Sequence, residues 1–190
     1  MSACGEMNFS VRDLHAYLSG YARGVSNDHA LACIIASWSF GGSALPVRLG
    51  LSSQAFNEMI AYHFPGADLA APDSARTVDV QRVSEIDDLR RLMLGGRANV
   101  SPSEDWMATI VASACMGDDH LWQDLGLWSR SDLSCLMHDN FPLLATRNDR
   151  DMKWKKFLYK QLCETEGIYV CRSPSCEVCA DYANCFGPED

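Results

Sequence analysis

The chain has 190 residues, 47% of them hydrophobic and 22% charged, a length and mixture sufficient for one well-buried core. Its formal net charge of −9 argues against nucleic acid as a partner, because phosphate contacts need Lys and Arg spread over a broad face. No apolar run approaches the ~18 residues that span a bilayer, since Arg, Asp, His or Gly interrupts each candidate.

In chain order, the apolar residues recur at helical spacing. Leu14, Tyr17, Leu18 and Tyr21 make a first stripe, opened by Ser10 and Asp13 in capping-box relation. Leu31, Ile34, Ile35 and Trp38 make a second, and Phe56, Met59 and Ile60 a shorter third. A stretch rich in Ala, Asp and Pro, residues 65–77, reads as a linker. Ile86, Leu89 and Met93 mark a fourth helix, stopped by Gly95 and Gly96. Ser101-Pro102-Ser103-Glu104 supplies cap, first-turn proline and reciprocal acid before Met107, Ile110, Val111 and Ala114. Leu133, Leu136 and Met137 follow a Ser129/Asp132 box, and Trp154, Phe157, Leu158 and Leu162 form the last stripe, before Gly167. The expectation is an all-α fold of about seven helices over residues 1–165, with no strand hairpin.

The two halves of that body align. At a spacing of 76 residues Ala32 pairs with Ala108, Ile34 with Ile110, Ser37 with Ser113 and Gly41 with Gly117; Leu49-Gly50-Leu51 pairs with Leu125-Gly126-Leu127. One residue later Phe64-Pro65 answers Phe141-Pro142. These matches predict an internal duplication, with halves at about 28–95 and 104–165, each about three helices long.

Residues 166–190 are of another kind. Four cysteines run as Cys171-x4-Cys176-x2-Cys179-x5-Cys185, too dense for core thiols at helical spacing. The first three spacings match the run by which plant-type ferredoxins hold iron, whereas structural zinc usually takes two C-x2-C knuckles and this chain has one. Pro174 and Gly187-Pro188 shape an irregular loop. Nine cysteines are an odd number; Cys4, Cys33, Cys115, Cys135 and Cys163 are scattered, and no secretory segment opens the sequence, so a reducing cytoplasm is expected. The residues alone leave an iron–sulfur cluster, a zinc-stapled adaptor and a simple electron carrier open.

The aligned halves differ where chemistry could reside. Gly41-Gly42-Ser43-Ala44 in the first corresponds to Gly117-Asp118-Asp119-His120 in the second, with Cys115 just before it. Cys115, Asp118 and His120 are therefore further candidate metal ligands, and helix capping is the alternative for the aspartates. Of the remaining histidines, His15 and His29 sit on early helix faces, and His63 and His138, just before the two Phe-Pro stops, read as residues serving helix C-termini. A basic island in the acidic chain includes Lys153, Lys155, Lys156 and Lys160, which read as a partner-docking face or a plain solvated one. No phosphate-cradling glycine loop, His-Glu-x-x-His helix or nucleophile elbow points to an enzyme, so a carrier is expected.

Three stretches together resemble the NifQ family of nitrogen-fixation proteins: Gly117-Asp-Asp-His-Leu-Trp-Gln-Asp-Leu-Gly-Leu127, Met152-Lys-Trp-Lys-Lys-Phe-Leu-Tyr-Lys-Gln-Leu-Cys163, and the four-cysteine run ending Cys185-Phe-Gly-Pro-Glu189. The resemblance is most specific from about Met107 onward. It implies an iron–molybdenum–sulfur protein that donates molybdenum for assembly of the nitrogenase iron–molybdenum cofactor, with the cluster on Cys171, Cys176, Cys179 and Cys185. It also implies two partners, the cofactor-assembly scaffold and the nitrogenase iron protein. Molybdenum enters through the resemblance alone.

Overall fold

Helix α1 (Val11–Gly20) begins where Ser10 and Asp13 cap each other, the Asp13 N–H donating to Ser10 Oγ at 3.3 Å and the Ser10 N–H to the Asp13 carboxylate at 2.9 Å. A computed structural model describes residues 10–69 and 82–166. It continues through α2 (Asp28–Ser39), α3 (Ser53–His63), α4 (Val83–Gly95), α5 (Ser103–Ala114), α6 (Leu121–Leu125), α7 (Arg130–Asn140), α8 (Pro142–Ala145) and α9 (Trp154–Glu166). Among the described residues there are thus nine α-helices, one 3-10 turn at Val47–Gly50, and no strand. The all-α expectation holds. The two helices beyond the expected seven, α6 and α8, have five and four residues, too few to show an apolar stripe. The expected linker lies outside the described residues from position 70, as does the cysteine-rich segment from 167.

Two helices form the centre. In α2 and α5 apolar residues cover every side, so neither can leave a face in water. Leu31, Ile34, Ile35, Met107, Ile110 and Val111 are all 0% exposed, and each contributes roughly 1.5–3 kcal/mol by leaving water. Helix α1 packs on α2 and α4 on α5, while α3, α6, α7 and the 3-10 turn close around α5. Helix α9 lies against α4 and buries Trp154, Phe157, Leu158, Tyr159 and Leu162.

Equivalent contacts recur at the 76-residue spacing. The Asp28 carboxylate accepts the N–H groups of Gly24 and Val25 at 2.7 and 2.9 Å, and the Glu104 carboxylate accepts those of Val100 and Ser101 at 2.8 and 2.9 Å. Gly126 (φ +78°) lies so close to α2 that a Cβ there would come 2.6 Å from Ser37 Cβ. Gly50 (φ +84°) stands in the same relation to α5, where its Cβ would come 2.2 Å from Ser113 Oγ. Each Leu-Gly-Leu turn thus packs on the serine of the other half's central helix.

A buried polar seam completes the joint. Asn27 Nδ2 donates to Ser103 Oγ at 2.9 Å and to Asn140 Oδ1 at 2.8 Å, and Asn140 Nδ2 returns a bond to Asn27 Oδ1 at 2.7 Å. His63 contacts Asp28 Oδ1 through Nδ1 at 2.6 Å and Ser103 Oγ through Nε2 at 2.9 Å. Burial holds the His63 pKa below its ordinary value, so the network assigns a neutral ring that donates from Nδ1 and accepts the Ser103 hydroxyl at Nε2. The order Ser103–His63–Asp28 is that of a hydrolase triad, yet Ser103 and His63 are both 0% exposed and Ser103 Oγ is also held by Asn27. Its work here is to join α2, α3, α5 and α7. His63 therefore does not serve a helix C-terminus.

Candidate metal centre

The four cysteines of the run, Cys171, Cys176, Cys179 and Cys185, lie outside the described residues; the structure shows the helix that leads into them. The start of α9 is fixed by Lys155, whose ammonium donates to Gly117 O at 2.9 Å, to Asp119 O at 2.6 Å and to the carboxylate of Asp124. Further along, the Tyr159 hydroxyl donates to Glu85, which also takes the Arg82 guanidinium, and Arg82 Nη1 reaches Met116 O at 3.0 Å. Burial raises the Tyr159 pKa, so the phenol stays protonated and acts as donor. Burial likewise raises that of Asp124, opposed by the adjacent ammonium. These bonds tie the root of the cysteine segment to α4 and to the turn before α6.

That turn carries the other candidate ligands, and the structure separates them. Asp118 and Asp119 are exposed on an open cleft of about 440 Å³, across which they face Gly41, Gly42 and Ser43, so the corresponding turns of the aligned halves oppose one another. His120 caps α6 at half-burial, its N–H donating to Gln123 Oε1 at 3.3 Å. Cys115 is 0% exposed, and burial pushes its thiol up to about 12. Hard oxygen donors thus face solvent while the sulfur is sealed in the core.

The basic face also divides. Lys153, just before α9, and Lys156 on it are half-buried, while Lys160 is exposed and lies 3.8 Å from Glu164. Lys155 is 7% exposed and committed to Asp124, which removes it from any docking surface: consecutive residues of a helix point about 100° apart, and this one points inward. Arg147, Arg150 and Lys160 border a cleft of about 350 Å³.

The donors that do converge stand elsewhere, on the first two helices. His15 on α1 and His29 and Cys33 on α2 bring one ligand atom each to within 4.8 Å of one another. Cys33 Sγ is 3.7 Å from His29 Nε2, and the two imidazoles meet edge to face with centroids 5.5 Å apart. Trp128 covers the His15 ring at 4.5 Å. His15 Nε2 is buried and has no hydrogen-bond partner. Burial, reinforced by the charge of His29, lowers the His15 pKa, and burial pushes the Cys33 thiol up to about 12. His29 and Cys33 stand one helical turn apart, a spacing visible in the sequence, but only the packing of α1 on α2 adds His15.

Comparison with known proteins places the chain. The NifQ family model matches residues 30–187, a stretch that takes in the described core from α2 onward and all four cysteines of the run. The chain belongs to the NifQ family. NifQ is a family of nitrogen-fixation proteins. The chain is 48% identical to the NifQ protein of Azotobacter vinelandii over 169 residues, covering 82% of this chain and 86% of that one. It is 38% identical to NifQ of Rhodobacter capsulatus (78% and 81% covered) and 32% identical to a NifQ homolog of Sinorhizobium fredii (85% and 72%). No solved structure matches the chain. Among the described residues no helix is long and apolar enough to cross a membrane.

Proposed function

We propose that this NifQ-family chain is a cytoplasmic molybdenum carrier: it holds molybdenum on an iron–sulfur cluster bound by Cys171, Cys176, Cys179 and Cys185, and yields it for nitrogenase iron–molybdenum cofactor assembly. The observation that carries the reading is that all four cysteines, in a ferredoxin-like run, fall inside the stretch matched by the family. The donor set fits. Thiolates favour iron and other soft ions over hard ones, and molybdenum arriving with oxo ligands has to exchange them for sulfur.

A donor must also release its cargo. The cysteines follow α9 in the chain, beyond a core that among the described residues runs from Leu14 to Leu162, so release is expected to leave that core closed. Three thiolates then hold iron, and molybdenum keeps an exchangeable position supplied by the fourth thiolate, by His120 or by water. Lys153, Lys156 and Lys160 give a basic docking face toward the assembly scaffold and the nitrogenase iron protein, suited to whatever acidic surface those partners offer. The aligned halves and their recurring contacts support a duplicated three-helix body that serves as a rigid mount, and a carrier of this kind needs no catalytic turnover.

Iron, molybdenum and zinc are to be measured on one oxygen-protected preparation. Iron and molybdenum are expected together. His120→Ala should lower molybdenum at constant iron, whereas replacing the tail cysteines by serine should remove both. Zinc alone, or no metal, would overturn the reading in favour of a structural adaptor or an apoprotein. Iron without molybdenum, cycling reversibly, would leave an electron carrier.

A further inference from the structure

The most complete set of metal donors among the described residues is remote in sequence from the cysteine run, and nothing in the carrier reading uses it. His15 and His29 even precede the stretch matched by the family model. We propose that His15, His29 and Cys33 form a separate site for a single zinc-class divalent ion, which fastens α1 to α2.

Two imidazole nitrogens and a thiolate are the borderline-soft donors that such ions select. Tetrahedral zinc, with Zn–N near 2.0–2.1 Å and Zn–S near 2.3 Å, sets its nitrogen and sulfur ligands ~3.5 Å apart. Cys33 Sγ and His29 Nε2 already stand at 3.7 Å, and the set as a whole lies within 4.8 Å, so a small rotation of His15 closes the triangle. The buried, unpartnered His15 Nε2 is the second observation. A histidine used only as packing would leave that nitrogen desolvated and unbonded, whereas a bound ion gives it a partner.

Access and the remaining coordination position also fit. His29 is exposed and gives the ion a way in, while Trp128, itself 44% exposed, covers the His15 side. Asp132 on α7 is close enough to act electrostatically on Cys33, and a water takes the fourth position. Binding releases the Cys33 thiol proton to solvent.

The test uses the full chain with Cys171→Ser, Cys176→Ser, Cys179→Ser and Cys185→Ser, which silences the tail, titrated anaerobically with cobalt(II). One equivalent is expected to bind with a thiolate-to-cobalt charge-transfer band and the d–d intensity of a tetrahedral site, and zinc(II) should bleach both. Cys33→Ser should abolish the band, and His15→Gln should weaken binding at least tenfold. Saturating zinc should raise the Tm by roughly 5–10 °C, a shift absent in His15→Gln. No band at millimolar cobalt, or a band that survives Cys33→Ser, overturns the site. If the silenced chain does not fold, zinc is counted in the chain with its tail intact: one ion fewer in His15→Gln supports the site and equal counts overturn it. The carrier reading is scored on iron and molybdenum, so each can fail without the other.

Discussion

At the scale of single residues, His63 carries the most consequence for stability. The folded protein holds its pKa below the ordinary 6.5, so the unfolded chain binds the proton first as pH falls. The stability His63 contributes is therefore complete above about pH 6.5 and is lost on acidification toward its folded value. Denaturant unfolding between pH 7.5 and 5 should show this loss. His63→Gln should remove its share of the slope, while His15, shifted in the same direction, leaves a remainder. At pH 7.5 the same substitution should destabilise by about 2–4 kcal/mol, because it leaves Asp28 buried without its partner. None of this was legible from position 63. A histidine before a Phe-Pro stop looks like a C-terminal cap, and its partners Asp28 and Ser103 come from distant helices.

At the scale of elements, the long helices could be read and their junctions could not. Stripes at three- and four-residue intervals gave α1 to α5, α7 and α9; the box at Ser10 closes in both directions, whereas only the serine half forms at Ser129 and only the acid half at Glu104, where Pro102 takes the cap position. α6 and α8 escaped because one turn has no period. The candidate ligands of the turn before α6 were legible as residue types, but not the burial that parts Cys115 from Asp118; the inward turn of Lys155 was hidden for the same reason. Gly126 is where this level can be tested. Gly126→Ala would force an L-residue to φ +78° and drive its methyl into Ser37, so unfolding free energy should fall by about 2–4 kcal/mol in urea titration. An alanine at Gly95, which has nothing within 4 Å, should change it by less than about 1 kcal/mol.

At the scale of the whole molecule, the helical core and the cysteine run should behave as separable parts. Among the described residues the buried side chains from Leu14 to Leu162 form one contiguous cluster. Replacing all four run cysteines by serine is expected to leave the far-UV circular dichroism unchanged and the Tm within about 2 °C. A collapse of helicity would show instead that metal and fold are one event, as in small zinc modules. The run was legible from spacing because ligand chemistry acts locally along the chain. The cluster of His15, His29 and Cys33 was not, because it arises where two helices cross.

The reciprocal amide pair of Asn27 and Asn140, flanked by Ser103 and His63, lies on the dividing surface between the first and second helical groups. A protease that cut the backbone between residues 69 and 82 would sever the covalent connection and leave that buried clasp closed. The two pieces would travel as a single particle until denaturant parted them.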